Sequence, residues 1–209
     1  NSKGQLLTGN TDPLATPEAV AAAGYVQFGL GGSEAFEVRA ISAGTTHGCA
    51  LFSSGSVRCF GFGRNGRTGA NAETDTDSIK ASDLAEVDLG DNTYNIGEVS
   101  CAAVYTCIVT ASTRRPICFG AGSNYRLGRA STDDVGDGVG THTADLDEVV
   151  VGTGDPECLQ ISTASLHACC IVAPRGAAAA GTLGSASTPR SVRCWGSGTS
   201  GRLGREDAL

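Results

Sequence analysis

The side chains best suited to redox, metal or nucleophilic chemistry in this 209-residue chain are its nine cysteines and three histidines. Six of the cysteines stand in three similar stretches, where a second cysteine follows the first after a turn-forming segment. His47 and His167 each precede a cysteine by two residues. Cysteines can form disulfides, bind zinc or pack as small apolar side chains, so the elements around them decide their use.

The first two stretches predict β-hairpins that bring their cysteines together. If residues 53–55 form a three-residue loop whose glycine has positive φ, Cys49 and Cys59 lie directly opposite each other. A loop of four residues opposes Cys107 and Cys118 in the same way. Directly opposed antiparallel residues lie about 4.5–5.5 Å apart at Cα, which a disulfide spans. Each such bridge closes about ten residues and contributes about 2.5–3 kcal/mol in the chain-entropy model.

The third stretch leaves a choice of partners. Cys194 pairs with Cys169 or with its neighbour Cys170, across a longer hairpin whose tip, residues 175–189, is rich in Ala, Gly and Ser. Zinc is disfavoured because no C-x-x-C pair exists. An odd cysteine remains for a partner chain or for another part of the protein. We predict disulfides among Cys49, Cys59, Cys107, Cys118, Cys169 and Cys194, and leave Cys101, Cys158 and Cys170 unpaired or uncertain.

After each hairpin comes C-[FW]-G-x-G and then a turn that ends in Arg, Leu or Thr, and Gly. Residues 61–66 fit the dinucleotide-binding pattern G-x-G-x-x-G, but the motif recurs in every unit and no helix pattern follows it. The repeat resembles that of the regulator-of-chromosome-condensation family. The residues that carry the resemblance are His47, Cys49, Ala50, Leu51, Gly55, Val57, Cys59, Phe60, Gly61, Gly66 and Gly69, then His167, Cys169, Val192, Cys194, Trp195, Gly196, Gly201, Leu203 and Gly204. The second copy departs at Tyr105 and Tyr125, and Arg67, Arg126 and Arg202 replace the usual Gln.

The resemblance implies an all-β fold, a β-propeller with four-stranded antiparallel blades. Cysteine-paired versions look like the secreted or surface branch of the family, where disulfides persist. Propellers close with about four to eight blades, so we interpret the chain as part of a larger propeller. Ahead of the first repeat, Pro17–Ala23 favours a short helix, and residues 26–38 predict a strand, a turn and a second strand. The predicted units are residues 1–10 as the tail of a preceding repeat, 11–69, 70–128 and 129–204 as repeats, and 205–209 as the start of another.

The net charge of −7 and the absence of clustered Lys and Arg disfavour nucleic-acid binding. No apolar run approaches the roughly 18 residues of a membrane helix, so we expect no membrane insertion. The acidic side chains lie between the repeats and predict solvated loops. The D-D-V-G-D-G stretch offers oxygen ligands for calcium but lacks the spacing of a calcium-binding loop. These acids are Asp75, Asp77, Asp83, Glu86, Asp88 and Asp91, then Asp133, Asp134, Asp137, Asp145, Asp147 and Glu148.

No combination of residues predicts catalysis, a cofactor site or a metal site. His47 and His167 occupy equivalent positions of two repeats, which favours a structural role, and His142 lies in an acidic loop without a nucleophile pattern. Trp195 is the only tryptophan, whereas a photoreceptor needs a cluster. We predict a non-catalytic scaffold or binding module for protein partners, extracellular or on the cell surface, with other chains of a large assembly among its contacts. The alternatives are an intracellular exchange factor for a small GTPase and an inhibitor of a secreted enzyme.

Overall fold

Three antiparallel sheets make up the fold. The computed structural model describes residues 1–26, 28, 37–76, 79–90, 95–139, 142–176 and 189–204. Each sheet is a meander in which consecutive strands pair, as expected for strands joined by short turns. The strands are β1 Val38–Ala43, β2 His47–Phe52 and β3 Val57–Gly61, then β4 Ile96–Cys101, β5 Tyr105–Thr110 and β6 Pro116–Gly120, then β7 Glu157–Thr163, β8 His167–Ala173 and β9 Ser191–Gly196.

The sheets stack face to face as successive blades. Strand β4 packs against β1 and β2, and β7 packs against β4 and β5, so one apolar core runs through all three blades. Every residue of β5 is buried because the middle blade is covered on both faces. By contrast, β1 is mostly exposed, with Ile41 69% accessible. The core is therefore built between blades, from apolar side chains that alternate along the strands.

The resemblance implies four strands in a blade, whereas each sheet has three in the part of the chain that the structure describes. Residues 84–90 and 146–152 run beside the outer strands of the first two blades, where a fourth strand would lie. Each forms one backbone hydrogen bond, from Val87 N to Val57 O at 2.8 Å and from Val149 N to Pro116 O at 2.7 Å. One bond is too few to make a ladder, so these segments are outer edges without strand geometry.

The first hairpin turn has the geometry that the local sequence predicts. Gly55 has φ of 84°, and Phe52 N donates to Ser56 O around the predicted three-residue loop.

The segment Pro17–Ala23 is a helix, α1, and the side chain of Thr16 before it accepts a hydrogen bond from Ala19 N. Residues 27 and 29–36, which the predicted strand–turn–strand at 26–38 spans, lie outside the described residues. Among the described residues, no helix is long and apolar enough to span a membrane.

The loop after the first hairpin is closed by a pair of backbone hydrogen bonds. Gly66 N donates to Gly63 O and Gly69 N donates to Gly66 O. At the start of the chain, Gly4 N donates to Asn1 O and Leu7 N donates to Gly4 O at the same spacing. The first seven residues therefore have the backbone hydrogen bonds of the loop that follows the first hairpin.

Candidate interaction surface

The three hairpin disulfides are present. The Cα atoms of Cys49 and Cys59 are 4.0 Å apart, and those of Cys107 and Cys118 are 4.1 Å apart. In both hairpins the cysteines are paired in register, directly opposite each other. In the third blade Cys194 bonds Cys169, the residue directly opposite it, which resolves the choice between Cys169 and Cys170.

A fourth disulfide joins Cys158 and Cys170, which the sequence left without assigned partners. Cys158 is in register with Val172, so this bridge runs diagonally between β7 and β8, with 5.5 Å between the Cα atoms. Diagonal neighbours on one face of a sheet lie close enough to interact. A rule based on directly opposed cysteines misses this pair. The signal available in the sequence was that two leftover cysteines fall on adjacent strands of one unit.

Cys101 is the ninth cysteine and a free thiol, 8% accessible at the interface between the first two blades. The Thr106 hydroxyl lies 3.9 Å from its sulfur. Burial raises the pKa of this thiol to about 11, and hydrogen bonds from its neighbours only partly offset the effect. Because the thiolate is the reactive form, we expect Cys101 to be unreactive in the folded protein at pH 7.

Thiol counting tests this cysteine map. We expect no alkylation of the native protein at pH 7, one alkylated cysteine per chain after unfolding without reductant, and nine after reduction, by intact-mass spectrometry. The single site should map to Cys101 by peptide mass. Three labelled cysteines in the unfolded, unreduced protein would show that the Cys158–Cys170 bridge is absent. Labelling of the native protein would show that Cys101 is accessible.

His47 links the first blade to the second. Its Nε2 lies 2.8 Å from Thr106 Oγ1, and the Thr106 hydroxyl lies 2.8 Å from the carbonyl oxygen of Arg67. Because a carbonyl only accepts, the threonine donates its single proton to Arg67 O and accepts from His47 Nε2–H. Nδ1 of His47 is buried without a partner. Burial, and then the nearby Arg67 charge, lower the pKa of His47 to about 4, so the imidazole is neutral.

The position equivalent to His47 serves the same purpose in the second blade. There Tyr105 donates its hydroxyl proton to the carbonyl oxygen of His167, at 2.7 Å, in the third blade. His167 itself begins β8, as His47 begins β2, and its side chain is half-buried. The two histidines therefore occupy matching strand positions, and the residue at this position makes the link to the following blade at both junctions.

Two buried arginines also bridge the blades. Arg67 donates to Thr46 Oγ1 at 3.0 Å in its own blade and to the carbonyl oxygen of Ala103 at 3.3 Å in the next. Arg126 donates to the carbonyl oxygen of Ser165 at 3.3 Å, again in the next blade. Five donors on a planar group suit such convergent acceptors. The arginine side chain is longer than the usual Gln and hydrogen-bonds to the backbone of the next blade.

Asp75 and Asp134 correct the prediction of solvated acidic loops. Asp75 accepts hydrogen bonds from Gly63 N and from Lys3 Nζ, at 3.0 and 2.8 Å. Asp134 accepts from Gly122 N at 2.9 Å and from Asn65 Nδ2 at 2.6 Å. Each carboxylate therefore closes its own loop with one oxygen and holds the preceding loop with the other. They are structural because they join consecutive units.

The carboxylates of the D-D-V-G-D-G stretch, residues 133–138, are likewise engaged by donors of the protein. Both oxygens of Asp134 are occupied by protein donors, and Asp137 accepts from Val139 N. In the ranges that the structure describes, no group of three His, Cys, Asp or Glu side chains is arranged to hold a metal. Asp77 and Asp91 lie outside the described residues.

The remaining acids concentrate on the two outer segments. Residues 83–90 and 145–152 share the pattern D-L-x-E-V-x-[LV]-G, a second internal repeat that the sequence analysis missed although the letters show it. The glutamate of each pairs with an arginine on or beside the outer strand. Arg58 lies 3.7 Å from Glu86, and Arg115 lies 3.3 Å from Glu148. The exposed acids of the two segments are Asp83, Glu86, Asp88, Asp145 and Asp147.

The outer segments are held against each other as well as against the blades. Thr143, which is 1% accessible, donates its backbone N–H to Asn71 Oδ1 at 2.9 Å and its hydroxyl proton toward Asp88 O at 2.5 Å. The two acidic segments thus form one continuous outer face, which we call the acidic face.

Comparison with known proteins identifies the repeat. Residues 38–67 match the family model described as the regulator of chromosome condensation (RCC1) repeat. This segment is therefore similar to an RCC1 repeat. The matched residues cover β1 to β3 and the loop up to Arg67, and the other two blades reproduce the same strand register. No curated protein matches the sequence.

One solved structure agrees with the fold that the RCC1 repeat implies, and others are less similar. Human WBSCR16 superposes with a TM-score of 0.50 at 19% identity, over 67% of this chain and 31% of that one. Saccharomyces cerevisiae Prp20p, described with its binding to Gsp1p and histones, gives a TM-score of 0.47 at 14% identity, over 65% and 31%. The ectodomain of the Physcomitrella patens receptor kinase CR4 gives 0.40 at 16%, over 77% and 30%.

These likenesses concern architecture. The likeness to WBSCR16, with a TM-score of 0.50 at 19% identity, supports the fold and no shared activity. The chain spans about a third of the length of the structures it matches. The protein has the fold of part of a β-propeller, and the prediction of a propeller with RCC1-type, cysteine-paired repeats is confirmed.

Proposed function

We propose that this chain is a non-catalytic propeller scaffold of an extracellular or cell-surface protein, and that it binds protein partners through the acidic face. The proposal rests on one observation, which is that the side chains capable of chemistry are used in contacts between blades. His47, Tyr105, Arg67 and Arg126 all make contacts between blades. Such contacts fix the blades as a rigid frame and leave the anchored acids to face outward.

The proposed location rests on the disulfides. Four bridges tie eight of the nine cysteines, each within one blade. Bridges of this number persist in secreted and surface proteins and are rare where glutathione and thioredoxin keep thiols reduced. An acidic face favours partners with a basic surface, because complementary charge speeds encounter and excludes wrong partners.

Charge neutralisation tests the proposed role of the acidic face. We would replace Asp83, Asp88, Asp145 and Asp147 with Asn, which keeps size and removes charge. The control variant changes two exposed acids to their amides, Asp12 ahead of helix α1 and Glu18 in its first turn. Partners cross-linked from an extracellular protein fraction should be retained by the wild type and the control and lost, at least tenfold, by the fourfold variant.

The same set of cross-linked proteins from all three forms would overturn the proposal. Acceleration of nucleotide release from a small GTPase by the wild type would favour the exchange-factor alternative instead. Inhibition of a secreted enzyme that survives in the fourfold variant would favour the inhibitor alternative and would place its contact elsewhere on the chain.

A further inference from the structure

A free thiol faces a disulfide at the junction between the first two blades. Ser42, Cys49 and Cys59 are in register on β1, β2 and β3, so their side chains lie on one face of the first blade. Cys101 of β4 is in register with Thr106 of β5 and shares a face of the second blade with it. The backbone N–H of Cys101 donates to Ser42 Oγ at 2.9 Å. The face with the thiol therefore packs against the face with the disulfide.

The sulfur of Cys101 lies beside that of Cys49. Thr106 Oγ1 is 3.9 Å from Cys101 Sγ and 4.0 Å from Cys49 Sγ, so one hydroxyl contacts both sulfurs. The backbone N–H of Cys49 also hydrogen-bonds to the side chain of Cys101. Cys49 and Thr106 are 0% accessible, and Cys101 is 8% accessible. Cys49 Sγ is therefore within reach of a thiolate at Cys101, inside a junction that is closed to external thiols.

The backbones of the two blades converge at this junction. A Cβ built on Gly44, one residue beyond β1, would lie 2.1 Å from the carbonyl oxygen of Ala102, one residue beyond β4. Sheets that pack face to face are usually about 10 Å apart, so this end of the junction is much closer than an ordinary sheet packing. Because a disulfide spans Cα atoms only about 4.4–6.8 Å apart, such convergence is what a bridge between blades requires.

The second junction has the same geometry with a hydroxyl in place of the thiol. The backbone N–H of Thr163 donates to Ser100 Oγ at 3.1 Å, as that of Cys101 donates to Ser42 Oγ in the first junction. Ser100 is in register with Cys107, as Ser42 is with the first cysteine of its own blade. Thr163 therefore occupies the position of Cys101, and of these two matching positions only the first carries a nucleophilic sulfur.

We propose that Cys101 exchanges with the Cys49–Cys59 disulfide and transfers the bridge to Cys49–Cys101, which ties β2 of the first blade to β4 of the second. The Cys101 thiolate attacks Cys49 Sγ and the bond between Cys49 and Cys59 breaks. Cys59 leaves as a thiolate and takes up the proton that Cys101 released. One thiol and one disulfide are present before and after, so no oxidant or reductant is consumed. The inference goes beyond the scaffold function, since it gives the frame a covalent lock between two blades.

Protonation of Cys101 holds this exchange in check at pH 7. Burial raises the pKa of the thiol to about 11, so the thiolate is a small fraction at pH 7 and grows about tenfold with each pH unit below that value. The other ionisable groups at the junction are His47, whose pKa is about 4, and Arg67. Both keep their charge between pH 7 and 9. The resting protein therefore keeps the bridge within the first blade, and a rise in exchange with pH reports on Cys101.

Disulfide mapping after incubation at two pH values tests the exchange. The oxidised 209-residue chain is held at pH 7 or pH 9 without reductant, quenched in acid, unfolded, labelled with N-ethylmaleimide at pH 6 and digested with pepsin. We expect label on Cys59 at pH 9, at least tenfold above its level at pH 7, with a matching loss from Cys101. The Cys101→Ala variant should show no label on Cys59 at either pH. Label confined to Cys101 at both pH values would overturn the proposal.

The Cys59→Ala variant tests the bridge between the blades directly. The reduced, unfolded chain is refolded with reduced and oxidised glutathione, which supplies the oxidant, and is then labelled and mapped in the same way. We expect a Cys49–Cys101 bridge and no labelled cysteine. Cys118→Ala is the matched control, because it leaves Cys107 and Cys101, which lie on opposite faces of the second blade and should both be labelled.

Moving the thiol to the second junction keeps the test valid if one variant folds poorly. In a chain with Cys118→Ala and Cys101→Ala, adding Thr163→Cys should produce a bridge from Cys107 to the introduced cysteine. Free Cys49 and Cys101 in the Cys59→Ala chain, or the same mixture of pairings in the variant and its control, would overturn the proposal. Its failure leaves the binding of partners to the acidic face unaffected, so the two proposals are tested separately.

Discussion

Replacing Gly66 with alanine is expected to lower the free energy of unfolding by about 3–4 kcal/mol. Gly66 has φ of 73°, where a side chain costs about 1–2 kcal/mol. A Cβ at this position would also lie 2.2 Å from Val135 O and 2.3 Å from the carbonyl carbon of Gly136. These are backbone atoms of the next blade, so relief requires the two blades to move apart. Urea unfolding of the oxidised protein measures the effect.

Gly201 is the matched control, because it holds the same place in the third repeat. Its φ is 67°, but a Cβ there meets nothing within 4 Å among the described residues. Gly201→Ala should therefore cost only the conformational part, about 1–2 kcal/mol. Equal losses for the two variants would show that the contact between the blades at Val135 contributes nothing to stability.

Tyr125 explains how the same loop position tolerates a large residue in the second repeat. It has φ of 56° and is 56% accessible, so its side chain projects into open space.

Lowering the pH from 7 to 4 is expected to cost about 3 kcal/mol of stability through His47 alone. Its pKa falls from 6.5 in the unfolded chain to about 4 in the folded protein, chiefly because burial disfavours the imidazolium. Between these values the unfolded chain binds more protons, so stability decreases as the pH falls. The contribution is complete above pH 6.5, is lost progressively down to about pH 4, and falls no further below that value.

The His47→Gln variant isolates this contribution. Its amide keeps a donor for Thr106 and cannot be protonated, so its stability should vary less between pH 7 and 4 than that of the wild type. Carboxylates titrate in both proteins and cancel in the difference. His142→Gln, which removes an exposed imidazole, should keep the wild-type profile. Urea midpoints at half-unit pH steps give both curves. Parallel curves for the wild type and His47→Gln would contradict the assignment.

Sequence reasoning worked best where one hairpin contains all the information. The register of Cys49 with Cys59, and of Cys107 with Cys118, follows from the length of the loop and from the alternation of side chains along a strand. The choice of Cys169 over Cys170 required the register of β8 with β9 to be seen.

Reasoning within one unit failed where a contact crosses strands diagonally or crosses blades. The Cys158–Cys170 bridge depends on a register shift in β7 next to Cys158. Asp75 and Asp134 appear in the sequence as members of acidic runs, and only the approach of neighbouring loops gives each of them two donors. The expected fourth strand is not confirmed in the described residues, where each outer segment contributes one backbone hydrogen bond to its blade.

The sequence by itself determined the repeat, the hairpins, two of the disulfides and the positions of the turn glycines, and it narrowed the partner of Cys194 to two adjacent cysteines. These depend on loop length and on side-chain alternation, which are local and can be read from one unit. Tertiary structure decided which polar residues join the blades and which acids stay exposed. Those properties depend on distances between units, and a period in the sequence does not contain them.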